Sequence, residues 1–231
     1  MGPLLLVAVF LGALIYFLSV ATKNPSVALA SETENAALPN AKIVTLAEQL
    51  IQLDAIGLRT NRGVTIDDFL NSFSEDAFQS RSYDLVLYML GTQTEKAPLG
   101  RFISDVAWNF DLEAIYGDGS YIEIVEGFLR ISGDRTRFKN ISDAVSHETR
   151  RAKLSYQVPE RGLIEYTPKV NADWADQGVV LQIARDIEKS YKSEKRFFYK
   201  DNGQAIVLFF LTYDQRDRLT ELGAEELQEF R

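Results

Sequence analysis

Along the chain, apolar residues come first as one unbroken run and then as short periodic groups. From Gly2 to Thr22 no side chain is charged, and Leu4 to Leu18 is nearly all Leu, Val, Ala, Ile, Phe and Tyr. About 20 such residues are enough to cross the hydrocarbon of a bilayer. Pro25 ends the run, and Ala28-Leu29-Ala30 before Ser31 has the small-x-small spacing that a signal peptidase accepts. The expectation is an N-terminal apolar helix that is an export signal, cleaved after Ala30, or an uncleaved anchor through residues 3–21, with burial of the helix in the domain as a third arrangement. Lys23 and Lys42 are too few to orient it. Ser, Thr, Asn, Ala and Pro dominate the next stretch, which reads as a tether. The chain thus divides into a signal peptide or transmembrane helix (1–22), a tether (23–41) and a folded body (42–231).

In the body, the period of the apolar positions names the elements. Thr45 with Glu48 forms a capping box ahead of Leu46, Leu50 and Leu53, with Gly57 as the stop. Thr65 with Asp68 repeats that grammar ahead of Ile66, Phe69, Leu70 and Phe73. Tyr83 to Leu90 is a short apolar run that fits a helix or a buried strand. The period then changes to two: Val106, Trp108, Phe110 and Leu112 alternate with Ala107, Asn109, Asp111 and Glu113, a strand with one buried face. After a turn at Tyr116-Gly117-Asp118-Gly119, Ser120 and Glu123 are expected to cap a helix ending near Gly133.

Alternation returns at Ala152 to Val158 and at Ile164 to Val170, a hairpin whose Pro168 favours a sheet edge. Asp173 is expected to cap the next helix, with Trp174 packing into the core. Arg196 to Tyr199 and Gln204 to Leu211 flank Asp201-Asn202-Gly203, the strongest hairpin signal in the chain. Thr212 with Gln215 caps a last helix to Gly223. Hairpins dominate and no βαβ alternation occurs. The fold expected is α+β: an antiparallel sheet of about five strands, two hairpins plus one strand, with helices on one face.

Composition removes several classes of chemistry. With no Cys and one His in 231 residues, disulfide frameworks, thiolate metal sites and three-His zinc sites are excluded. No P-loop, dinucleotide-binding glycine pattern or Gly-x-Ser-x-Gly elbow is present, and no cofactor is expected. From Ser31 onward the chain holds 24 Lys and Arg against 33 Asp and Glu, a net charge of −9. Nucleic acid is an unsuitable partner for so acidic a body.

Two charged stretches remain. Asp105, Asp111, Glu113, Asp118, Glu123 and Glu126 form the densest acidic region, in which Asp111, Glu113 and Asp118 are the candidates for catalytic carboxylates or a divalent cation. Between residues 130 and 153, seven cations stand against three acids, with Arg135, Arg137, Lys139, Arg150, Arg151 and Lys153 as candidates for an anionic partner or lipid. His147, near Ser142, Asp143 and Ser146, reads as a loop histidine. The expected function is a non-enzymatic interaction module in the cell envelope, binding another protein through an acidic surface. The alternative is a carboxylate-based hydrolase, with or without a divalent cation.

Overall fold

The computed structural model describes residues 43–95, 100–191, 193–202 and 205–231. The expected leader, cleavage point and tether lie outside these residues, as does Gly203. Among the described residues no helix is long and apolar enough to cross a membrane.

Among the described residues four helices come first: α1 (Leu46–Ile56), α2 (Ile66–Leu70), α3 (Glu75–Ser80) and α4 (Asp84–Leu90). Strand β1 (Ala107–Asp111) and helix α5 (Ser120–Ser132) lead to β2 (Lys139–Ser146), β3 (Arg151–Val158) and β4 (Gly162–Tyr166). Helix α6 (Gln177–Tyr191), strands β5 (Arg196–Asp201) and β6 (Ala205–Leu211), helix α7 (Tyr213–Glu221) and the short β7 (Gln228–Glu229) complete the body. The class is α+β, and every strand pair is antiparallel. The strands form two sheets instead of one, in the orders β1-β6-β5-β7 and β2-β3-β4.

The physical reason lies in β6. Its seven consecutive apolar residues leave no polar face, so the four-stranded sheet must be covered on both sides. Ile206, Leu208 and Phe210 join one apolar cluster with Phe110, Phe128 of α5, Ile183 of α6 and the inner face of β3. Val207, Phe209 and Leu211 join a second cluster with Leu46, Leu53, Phe69, Phe78 and Leu219 from the other helices. Helices therefore lie on both faces, which corrects the one-sided arrangement expected. Strand β1 is corrected likewise: Trp108 and Phe110 pack into the first cluster, and Ala107 is buried in the second.

Local signals placed most helix starts. The capping boxes of α1, α2 and α7 at Thr45, Thr65 and Thr212 form as expected. Tyr83–Leu90 resolves to helix, its entry residue Tyr83 held at φ 65 by a backbone bond to the buried Gln49 side chain at 2.8 Å. The last hairpin forms where expected, with Asp201 opposite Ile206 and the Asn202 N–H donating to the Ala205 carbonyl. Pro168 lies just beyond β4, which is an edge strand.

The start of α5 departs from expectation. Ser120 is not its N-cap: the Ser120 hydroxyl accepts from Tyr116 and Gly117 instead. Asp143, on β2, supplies the carboxylate, accepting from Gly119 N at 2.7 Å, Tyr121 N at 2.8 Å and Ile122 N at 3.3 Å. An anion there complements the positive end of the helix dipole. This role puts a charged residue at an inward position of β2, which hid that strand from the hydrophobic pattern. Helix α6 starts later than expected, at Gln177, and Asp176 accepts from Gly178 N and Val179 N. Asp173 does not cap it, and Trp174 is 37% exposed instead of buried.

Candidate functional site

The acidic candidates separate into structural and convergent groups. Asp118 accepts from Val145 N of β2 at 2.7 Å. With Asp143 it forms a reciprocal tie: each carboxylate binds backbone N–H groups of the other's segment. Asp105 lies between Arg130 and Arg135, at 3.4 and 3.1 Å. Glu123 and Glu126 are on the exposed side of α5. None of these four meets Asp111 in a common site.

Asp111 and Glu113 do converge, with a third acid whose place in the sequence suggests a helix cap. The segments 111–116 and 171–176 pair through the backbone: Ala175 N donates to Leu112 O at 2.9 Å, and Ile115 N donates to Asp173 O at 2.8 Å. Glu113 is bridged to Trp174 in the same short ladder. Burial pushes the Asp111 carboxyl above its ordinary range and the Asp173 carboxylate adds to this, while the Glu113 N–H, donating at 2.8 Å, opposes it. Tyr116 is 58% exposed, and its hydroxyl donates to the Glu113 carbonyl at 2.5 Å. Burial raises the Tyr116 phenol, and the charges of Asp111, Asp173 and Glu113 raise it further. The charges of three carboxylates thus act on the hydroxyl of one exposed tyrosine, with exposed Trp174 in the paired segment.

No family model, curated protein or solved structure matches the chain. The reading of this surface therefore rests on its own chemistry. Acidic side chains and exposed aromatic rings carried on one pair of segments can attract a cation through charge and through the ring quadrupole together. Among the described residues no group of three or more His, Asp or Glu has metal-holding geometry.

The basic candidates separate in the same way. Arg130 is buried, donating to Ser104 O and Ala107 O, with its guanidinium 3.7 Å from the centre of the Phe102 ring. Burial lowers its pKa to about 10, against the opposing pull of Asp105. Arg135 pairs with Asp105, and Arg137 donates to the Ser190 carbonyl beside the Tyr191 ring. Lys139 starts β2 at a shallow groove of about 630 Å³ lined also by Asp134, Arg137, Gln157 and Glu160. Its two cations and two acids balance, so it has no net preference for an anion. Arg150, Arg151 and Lys153 are exposed at the far end of the three-stranded sheet. His147 is exposed in the β2–β3 turn.

One buried polar network had no sequence signal. Asp186 of α6, 2% exposed, accepts from Tyr156 at 2.8 Å, from Tyr166 at 2.7 Å and from Arg161. An Asp in an amphipathic helix reads as solvated, and only packing of β3 and β4 against α6 shows otherwise.

Proposed function

We propose that this protein is a non-enzymatic interaction module of the cell envelope, exported or anchored by its apolar leader, which binds a basic segment of another protein. The surface is formed by Asp111, Glu113 and Asp173 with Tyr116 and Trp174. The observation that supports it is the backbone pairing of residues 111–116 with 171–176, which brings Asp173 and the exposed Trp174 beside the segment that carries Asp111, Glu113 and the exposed Tyr116. A Lys or Arg side chain laid across the rings satisfies both the acids and the aromatic faces. The segments that carry them are pinned by backbone bonds, so little ordering cost accompanies binding.

Fluorescence polarisation with the full-length protein in detergent tests this reading, using a labelled Arg/Lys octapeptide and an all-Glu control. Binding should be selective for the basic peptide and weaken at high salt. Asp111→Asn with Asp173→Asn should weaken it about tenfold or more, the equivalent of about 1.4 kcal/mol. Equal affinity for the two peptides, or no effect of the double variant, would reject the proposal.

A second reading, carboxylate-based hydrolysis, has one observation in its favour. Asp111 is a carboxyl with a raised pKa beside a second carboxylate, the arrangement that separates a general acid from its partner. Turnover of ester, glycoside or phosphoester substrates, lost in Asp111→Asn and unaffected by salt, would favour that reading over the first.

A further inference from the structure

The outer face of the three-stranded sheet carries a juxtaposition that folding alone does not favour. Ala152 N donates to Pro168 O and Val170 N donates to Arg150 O, so Arg151 and Lys169 form a non-hydrogen-bonded antiparallel pair. Side chains are closest at such a pair, and like charges directly opposed there are destabilising. Lys153 lies on the same face, two residues along β3. All three cations are exposed, and among the described residues no carboxylate lies within ion-pair range of them.

The rest of the face is low and hydroxylic. Ser142 and Ser155 face each other across β2 and β3, their hydroxyls 2.9 Å apart, and Leu163 on β4 is 59% exposed. Glu165 lies opposite Ser155 on this face. The body as a whole has a large acidic excess, so this concentration of cations runs against its general charge.

We propose that the Arg151–Lys153–Lys169 face seats on the phosphates of anionic lipid headgroups. A flat strand surface with spread cations matches a planar array of phosphates, which no enclosed pocket for a single free anion does. Arg and Lys neutralise phosphate charge, the hydroxyls add donors, and Leu163 enters the headgroup layer. The outward strand positions of β2, β3 and β4 carry no aromatic ring for bases to stack on, so a single-stranded nucleic acid is the poorer fit. The apolar 2–22 stretch, of bilayer length by sequence, supplies a second membrane signal, and stable association needs two.

The chain has no Cys, which allows single-site labelling. Ala144 is exposed on the face beside Lys153, and Ala55 is exposed on α1, across the four-stranded sheet, so Ala144→Cys serves as the reporter and Ala55→Cys as the control. Full-length variants are added to preformed vesicles of phosphatidylcholine, with or without phosphatidylglycerol at about 30%, and alkylated by a water-soluble maleimide. Alkylation of the Ala144→Cys variant should slow about fivefold or more on the anionic vesicles, recover at high salt, and be unchanged for the Ala55→Cys control. Adding Arg151→Gln, Lys153→Gln and Lys169→Gln should abolish the slowing. Because this removes repulsion, the melting temperature should not fall. Equal rates on both vesicles, slowing that survives the three Gln substitutions, or the same slowing by single-stranded RNA in detergent would overturn the proposal. The octapeptide assay reads a different surface, so either result can fail alone.

Discussion

The Tyr156 hydroxyl, on β3, donates to Oδ2 of Asp186, on α6, at 2.8 Å, and both residues are sealed from solvent. The bond ties the three-stranded sheet to the helix beneath it. Tyr166 from β4 shares the same oxygen, and Arg161 from the β3–β4 turn takes the other. One carboxylate therefore satisfies three donors.

Removing that acceptor should be costly. Asp186→Ala is expected to lower stability by about 3–5 kcal/mol, since it leaves a guanidinium and two phenols without their partner. Urea unfolding followed by circular dichroism measures this, and a loss below about 1 kcal/mol would contradict the role given to Asp186.

The same network has an alkaline limit. Burial raises the Tyr156 phenol strongly, the Asp186 charge and hydrogen bond add to that, and burial with Asp186 pushes Tyr166 up to about 12. Folded pKa values above the unfolded ones mean that the stabilisation is complete below about pH 10 and is lost as pH rises through the folded values. Melting temperature should fall between about pH 10 and about pH 12, and Tyr166→Phe should flatten that slope. Phenolate absorbance near neutral pH would exclude the assignment.

Asp143 should matter more than its place in a polar strand suggests. Asp143→Ala strips three backbone N–H groups at the start of α5 of their acceptor and is expected to cost about 2 kcal/mol or more. If chemical denaturation shows Ser120→Ala to be as damaging as Asp143→Ala, the remote cap is not the main support of this helix end.

Asp111 sets stability against binding. Its raised pKa means that ionisation weakens the fold: its favourable contribution is present below the unfolded value and lost as pH rises through the folded one. Asp111→Asn keeps an oxygen for the Glu113 N–H and removes the charge. It should raise stability slightly at neutral pH, by less than about 1 kcal/mol given solvent screening, while weakening octapeptide binding. The gain should vanish in acid, which calorimetry across pH would reveal.

Gly127 offers a test of packing against propensity. Inside a helix, Gly→Ala is ordinarily favourable by about 1 kcal/mol. Here a Cβ would meet the Trp108 ring at 2.6 Å, and that ring is packed between Phe110 and Phe128. Gly127→Ala should therefore destabilise by about 1–3 kcal/mol, read by thermal melting. A more stable variant would mean that Trp108 moves freely.

Part of the candidate site is legible in the linear chain. Asp111 and Glu113 stand out within an acidic stretch, but Asp173 and Trp174, some sixty residues later, read as a helix cap and a core residue. Asp118 carries the same signal as Asp111 and is a backbone acceptor for Val145. Among the bases, Arg150, Arg151 and Lys153 are recognisable, whereas Lys169 joins them only through cross-strand register.

Residue spacing alone specifies what acts within a turn or two of chain: the capping boxes at Thr45, Thr65 and Thr212, the hairpin at Asp201-Asn202, and with them the α+β class. These are short-range contacts whose partners sit three or four residues apart, so spacing specifies them. Long-range packing fixes the division into two sheets, the cap that Asp143 gives α5, and the pairing of residues 111–116 with 171–176 that joins Asp173 to the segment of Asp111, Glu113 and Tyr116. Each brings together groups far apart in the chain, chosen by which apolar faces must be covered and which buried polar groups need a partner, and no local period records that choice.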